Sequence, residues 1–211
     1  MTNIEKRNDK LGALLLKALE SRRFEAYFCE NKQDAVQLAL SLIPENHTVS
    51  WGGSATLTEM GLLDIVKKQF KVIDRDLGKD KEEKTKLMRQ ALLADTYLTS
   101  ANAISEDGQI VNIDGTGNRV AATIFGPTNV IFLIGMNKVC KTVEDAWSRA
   151  RNYAAPVNAQ RFDDLGTPCY INGTCSDCKS DNCICAYMVT TRFSKPAKKI
   201  KVILINEILG F

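Results

Sequence analysis

The longest apolar run of the chain reads Val130-Ile-Phe-Leu-Ile-Gly-Met136 and directly follows Asn129. A strand without polar positions is typical of the buried centre of a parallel sheet, where helices cover both faces. The run is far shorter than the roughly 18 apolar residues that a membrane span requires. We therefore expect a buried central strand at residues 129–134 of a globular fold.

Helical and extended patterns alternate on both sides of this strand. Helices are expected at residues 4–23, 32–43, 56–68, 79–93, 120–125 and 143–154, with Pro156 ending the last one. Further strands are expected near residues 26–29, 48–51, 70–73, 97–99, 109–113 and 199–208. This alternation predicts a three-layer α/β sandwich with a mostly parallel sheet and one antiparallel excursion between residues 97 and 113.

Length and composition indicate one folded domain. The 211 residues are 45% hydrophobic and 25% charged, as in ordinary globular proteins. We expect a single α/β domain over residues 1–211, with an N-terminal helical portion at 1–45 and an embedded cysteine-rich loop at 166–188. The net charge of +3 is too small and dispersed for a nucleic-acid-binding surface. The first residues carry no apolar signal region, so we expect a cytoplasmic protein without a membrane contact.

Two glycine-rich segments, 52–56 and 114–119, each follow an expected strand and lead into an expected helix. At this place in a parallel sheet, backbone N–H groups are often free to bind anions. Thr56 and Glu59 also have the spacing of a capping box at a helix start. The expected catalytic carboxylates are Glu59 and Asp114. The expected substrate-binding residues are Gly52, Gly53, Ser54, Thr56, Asn102, Gly115, Thr116, Gly117, Asn118, Arg119, Asn137 and Lys138. Neither segment matches the nucleotide motifs, so ATP and NAD are not predicted.

Five of the seven cysteines fall between residues 169 and 185. Their spacing is Cys169-x5-Cys175-x2-Cys178-x4-Cys183-x-Cys185. A Cys-x2-Cys pair suits one metal ion, and four thiolates would satisfy zinc or an iron–sulfur cluster. The alternative is a loop of free thiols that oxidises to disulfides in air.

The glycine-rich segments resemble one known family when they are combined with two others. The set comprises Gly-Gly-Ser-x-Thr-Leu-x-Glu-x-Gly at 52–61, Tyr97-Leu-Thr-Ser-Ala-Asn-Ala-Ile, Asp114-Gly-Thr-Gly-Asn-Arg and Gly135-Met-Asn-Lys. It resembles the LUD domain of lactate-utilisation proteins, over roughly residues 45–185. The resemblance implies a fold like that of ribose-phosphate isomerases and coenzyme A transferases. It also implies a link to bacterial oxidation of lactate to pyruvate, alongside iron–sulfur proteins.

The resemblance extends into the cysteine-rich loop. Pro-Cys-x-x-x-Gly-x-Cys-x-x-Cys and a final Ile-Cys recur in a subset of the family, which implies Cys169, Cys175, Cys178 and Cys185 as ligands of zinc or an iron–sulfur cluster. Cys183 occupies a position where the resemblance implies an arginine. Which four of the five cysteines act together therefore stays open.

Three functions follow as hypotheses. The first is an enzyme or binding protein for a small anion, such as a hydroxy acid, a sugar phosphate or an acyl-coenzyme A, at the glycine-rich segments. The second is a non-catalytic accessory subunit that docks on iron–sulfur lactate-oxidation proteins through the cysteine-rich loop. The third is a metal-dependent or redox-responsive regulator. A homo-oligomer is compatible with each of them.

Overall fold

The computed structural model describes all 211 residues. In chain order, the strands are β1 (Glu25–Cys29), β2 (Thr48–Trp51), β3 (Lys71–Ile73), β4 (Thr96–Thr99), β5 (Ala103–Ser105), β6 (Ile110–Asp114), β7 (Asn129–Gly135), β8 (Val139–Cys140), β9 (Tyr187–Thr191) and β10 (Ile200–Ile205). The α-helices are α1 (Asn3–Ser21), α2 (Lys32–Ser41), α3 (Ala55–Glu59), α4 (Leu62–Gln69), α5 (Lys81–Gln90), α6 (Asn118–Phe125), α7 (Val143–Arg149), α8 (Ala155–Ala159) and α9 (Pro168–Asn172). None of the helices is long and apolar enough to cross a bilayer.

Six strands form a parallel sheet in the order β1-β10-β7-β4-β2-β3. All seven residues of β7 are buried, which confirms the expected central strand. Phe132 packs in the core layer that includes Leu15 of α1, whereas Leu133 packs in the opposite layer with Val36 of α2. Successive residues of a strand point to opposite faces, so β7 joins both cores. The expected three-layer α/β sandwich is confirmed.

The antiparallel strands lie in a second sheet instead of forming an excursion of the first. This sheet has the order β8-β5-β6-β9, with β6 antiparallel to both β5 and β9. It has its own small core, in which Val111 and Ile113 pack with Ala146 and Ala150. The sequence did not reveal β5, β8 or β9. Two of them have only two or three residues, and β9 is only partly buried, so their apolar patterns are weak.

Two expected helices have other boundaries. The helix expected at 56–68 is divided into α3 and α4 by Gly61, whose φ of 65° lies in the left-handed region. The helix expected to stop at Pro156 continues to Ala159 because a π-helical turn, Ala150–Ala154, precedes α8. This turn places the proline in the first turn of α8, where its missing N–H costs little.

Candidate functional site

One cavity of about 550 Å³ lies where the chain leaves β2, β4, β6 and β7, and both glycine-rich segments line it. The expected site residues that line it are Gly53, Ser54, Thr56, Asn102, Asp114, Gly115, Thr116, Asn118, Arg119 and Lys138. Gly52, Glu59, Gly117 and Asn137 do not line it. The structure therefore brings most of the expected residues to one place, but it gives several of them other roles.

The segment 52–56 leaves its backbone donors open. The N–H groups of Gly53, Ala55 and Thr56 make no hydrogen bond within the protein. Ser54 begins α3, because its side chain accepts a hydrogen bond from the N–H of Leu57 at 3.3 Å. Ser54 thus replaces the capping box expected from Thr56 and Glu59. All three residues line the cavity, but Thr56 is buried against Gly210, so the N–H groups of Gly53 and Ala55 are the ones suited to an anion.

The segment 114–119 is closed by its own acidic residue. One oxygen of Asp114 accepts the N–H groups of Thr116 and Gly117, at 3.1 and 2.9 Å. The other oxygen accepts those of Arg119 and Val120, at 3.1 and 3.2 Å. A carboxylate offers about four acceptor sites, and four backbone donors take them. Asp114 therefore caps α6, and these four amides are not free for a ligand.

The guanidinium of Arg119 is largely held within the protein. It donates to the carbonyl oxygens of Ser100 and Ile113 and to the side-chain oxygen of Asn102. Its Nε lies 3.8 Å from the carboxylate of Asp114. A Cβ on Gly52 would lie 2.9 Å from the Arg119 side chain, so this glycine makes room for the arginine and not for a ligand. Arg119 supplies positive charge to the cavity with little freedom to move.

Lys138 is buried at the cavity, with only 2% of its surface exposed. It belongs to a short 3₁₀ turn, Met136–Lys138, directly after β7. Its Nζ donates to the hydroxyl oxygens of Thr56 and Ser100, at 2.8 and 3.1 Å. Burial lowers the pKa of Lys138 to about 7, and the charges of Arg149 and Arg119 act in the same direction. The amine and ammonium forms of Lys138 are therefore comparable near neutral pH.

Glu59 and Asn137 hold the C-terminal segment and do not enter the cavity. The carboxylate of Glu59, an exposed residue on α3, accepts the N–H of Gly210 at 2.7 Å. The Asn137 side chain accepts the N–H of Leu209 at 3.2 Å and donates to the Gly210 oxygen at 3.3 Å. Glu59, expected to be catalytic, and Asn137, expected to bind substrate, therefore lie outside the cavity that the other expected residues line. Phe211, held by these contacts, lines the cavity.

Sequence reasoning missed several polar residues of the cavity, among them Arg75, Ser100 and Arg161. Arg75 and Ser100 follow β3 and β4 closely, so their place at strand ends was a usable signal. A Cβ on Gly53 would lie 2.6 Å from the Arg75 guanidinium, which shows how closely the arginine approaches the open segment. Arg161 follows α8, far from any strand, and no local pattern pointed to it.

The five clustered cysteines line a second, much smaller cavity next to the first. The sulfur atoms of Cys183 and Cys185 are 3.1 Å apart, and Cys183 also lines the large cavity. Burial and the neighbouring Cys183 thiol raise the pKa of Cys185 to about 12. The Ser180 backbone lowers the pKa of Cys178. No three His, Cys, Asp or Glu side chains of the chain are arranged to hold one metal ion, so the four implied ligands do not form a ready tetrahedral set.

A family model matches most of the chain. The LUD domain covers residues 13–205. The chain belongs to the LUD domain family. This membership confirms the family resemblance and its relation to lactate utilisation in general terms. A search of curated proteins found no match to this LUD domain chain.

One solved structure supports the same fold, and two others are similar to part of the chain. A DUF162 family protein from Deinococcus radiodurans is 12% identical, with a TM-score of 0.52 over 94% of this chain and 98% of its own. At this identity, the likeness concerns the fold alone. Ribose 5-phosphate isomerase A from Neisseria gonorrhoeae is 15% identical, with a TM-score of 0.34 over 53% of this chain and 54% of its own. The eIF2B beta protein from Chaetomium thermophilum is 17% identical, with a TM-score of 0.39 over 54% of this chain and 44% of its own.

Proposed function

We propose that the large cavity of this LUD domain protein binds a small anionic molecule, of the hydroxy-acid, sugar-phosphate or acyl-coenzyme A class. One observation carries the proposal: basic side chains outnumber acidic ones on the cavity wall. The basic residues are Arg75, Arg119, Lys138 and Arg161, and the acidic ones are Asp114 and Asp181.

The local contacts strengthen this imbalance. The charge of Asp114 is balanced by four backbone N–H groups and by Arg119. Asp181 is exposed, so water screens its charge. The free N–H groups of Gly53 and Ala55 add donors to the same wall. An anion entering this cavity meets Arg75 and Arg161, which form no salt bridge with an acidic residue of the cavity wall, and unpaired backbone donors, and both favour its binding.

The contacts of Asp114 also bear on catalysis. A general base needs a lone pair within reach of the substrate proton, and the oxygens of Asp114 are occupied by backbone donors. Glu59 lies outside the cavity. The geometry therefore favours anion binding as the function of the glycine-rich segments over chemistry performed by either of these carboxylates.

Calorimetric titration with inorganic phosphate and with lactate tests the proposal. We expect Arg75→Gln to weaken binding by about tenfold or more, since a hydrogen bond to a charged group contributes about 1.5–3 kcal/mol. Arg89→Gln is the matched control, because Arg89 is exposed on α5 and lines no part of this cavity. Equal losses in the two variants, or no binding of either anion at millimolar concentration, would contradict an anion site.

The cysteine-rich loop supports a second candidate function, that of a redox- or metal-responsive accessory subunit of an iron–sulfur lactate-oxidation system. The observation in its favour is that all five cysteines line one cavity. Their present arrangement holds no metal set, so bound metal would require the thiols to move. Metal content and absorbance near about 400 nm, measured on anaerobically purified protein, test it. Colourless, metal-free protein with no affinity for an iron–sulfur partner would count against this candidate.

A further inference from the structure

The surroundings of the Lys138 side chain differ from those that anion binding alone requires. Its ammonium would carry three donors, but only two acceptors lie near Nζ, the hydroxyl oxygens of Thr56 and Ser100. The Thr56 hydroxyl donates its own proton to the Leu209 oxygen at 3.3 Å, so it accepts from the lysine. No carboxylate forms a salt bridge with Lys138.

These contacts suit a neutral amine. Two N–H donors match the two hydroxyl acceptors, and the nitrogen lone pair is then left without a partner. The surrounding charges act in the same direction, because Arg149 and Arg119 disfavour the ammonium while only Glu59 favours it. A buried amine with a free lone pair on the wall of a cavity is a nucleophile.

The cavity also contains groups that can hold an anionic substrate of the Lys138 amine. Gly53 and Ala55, whose N–H groups have no partner in the protein, line the same cavity as Arg75, and these groups are suited to holding a carboxylate or phosphate. Thr56 belongs to the same segment as Gly53 and Ala55, and its hydroxyl holds the lysine. The anion-binding groups and the amine are therefore joined through one segment.

We propose that Nζ of Lys138 forms an imine with the carbonyl carbon of a small anionic carbonyl compound, of the 2-oxo acid class. The proposal rests on the anion site proposed above and adds a substrate class to it. The nitrogen lone pair attacks the carbonyl carbon, and a carbon–nitrogen double bond replaces the carbon–oxygen double bond. The carbonyl oxygen leaves as water and takes the two amine protons, so no oxidant or reductant is needed. The imine activates the adjacent carbon for bond cleavage.

Reductive trapping tests this step. The full chain is incubated with pyruvate and sodium cyanoborohydride, and the modified lysine is located by peptide mass spectrometry. We expect one adduct at Lys138, formed at least about ten times faster than at the exposed Lys86, with a rate that rises as the pH passes through 7. Inorganic phosphate should slow the reaction, and lactate, which has no carbonyl group, should give no adduct.

Two variants complete the experiment. Lys138→Met should abolish the fast adduct, whereas Lys199→Met should retain it, since Lys199 is half-buried but does not line the cavity. The adduct is first located in the chain without substitutions, so the main result does not depend on whether either variant folds. An adduct at Lys138 no faster than at Lys86 would overturn the proposal.

Calorimetry with pyruvate separates this proposal from the anion site. Binding of pyruvate without a fast adduct would overturn the imine and leave the anion site standing. Absence of both binding and adduct would overturn the two together.

Discussion

Segments 52–56 and 114–119 look alike in sequence and differ in structure. Each follows a strand, contains glycines and leads into a helix. In the first, one serine hydroxyl caps the helix and three N–H groups stay free. In the second, the carboxylate of Asp114 takes four N–H groups. An acidic residue at the strand end thus occupies the backbone N–H groups of the turn that follows it. Only the turn without an acidic residue keeps N–H groups free for a ligand.

The largest effect is expected for Asp114→Ala. The change leaves four backbone donors without their acceptor and the partly buried Arg119 without its counter-charge. We expect the free energy of unfolding to fall by about 3–5 kcal/mol, the range found when one partner of a buried ion pair is removed. Urea denaturation measures it. The matched change is Ser54→Ala, for which a loss of about 1 kcal/mol is expected from one lost cap. Equal losses would show that the two segments do not differ in this way.

The second largest effect is a pH-dependent change in the free energy of unfolding, expected for Lys138→Met. The pKa of Lys138 is about 7 in the folded chain, below its ordinary value of 10.5. Between these values the unfolded chain binds one more proton, so the free energy of unfolding of the natural chain rises with pH across this window. The methionine variant lacks this dependence. We expect it to be the more stable protein at pH 6 and to lose most of that advantage by pH 10.

Denaturation curves of both proteins at several pH values check this prediction. Arg149, Arg119 and Glu59 are the charged groups that act on Lys138. A stability difference that does not vary over this range would mean that the lysine titrates as an exposed one.

A smaller effect is expected for Gly53→Ala. The new methyl group would lie 2.6 Å from the Arg75 guanidinium, which is the flexible end of a side chain and moves away easily. We expect phosphate affinity to fall about threefold, while the free energy of unfolding changes by no more than about 0.5 kcal/mol. Calorimetry and urea denaturation give the two numbers. Unchanged phosphate affinity would mean that Arg75 does not bind phosphate together with segment 52–56.

The smallest effect is expected for Glu59→Gln. The glutamine oxygen still accepts the N–H of Gly210, and the site is exposed, so we expect a stability change below about 0.5 kcal/mol. Phosphate affinity should stay within about twofold of the natural chain, because Glu59 does not line the cavity. A large loss of affinity would mean that Glu59 takes part in binding, which would contradict its position outside the cavity.

Local patterns predicted the fold better than the site. The apolar run at 130–136 indicated a buried parallel strand, and β7 is one because both helical layers pack on it. The helix boundaries at Gly61 and Pro156 were predicted wrongly, because the effect of a glycine or a proline depends on the backbone conformation around it. The second sheet was not predictable, because β9 pairs with β6 across more than 70 residues of chain and has little apolar pattern of its own.

The sequence alone determined the family and the three-layer fold. It also predicted that the two glycine-rich segments share one site, but not the reason, because segment 52–56 follows β2 of the parallel sheet whereas segment 114–119 follows β6 of the second sheet. Only the tertiary structure decided what each segment offers to a ligand. Whether an N–H group is free depends on which acceptor reaches it, and whether Lys138 is an amine depends on what surrounds it. Both properties arise from groups that are distant in the sequence, such as Arg75, Ser100 and Leu209, and burial next to them sets the chemistry.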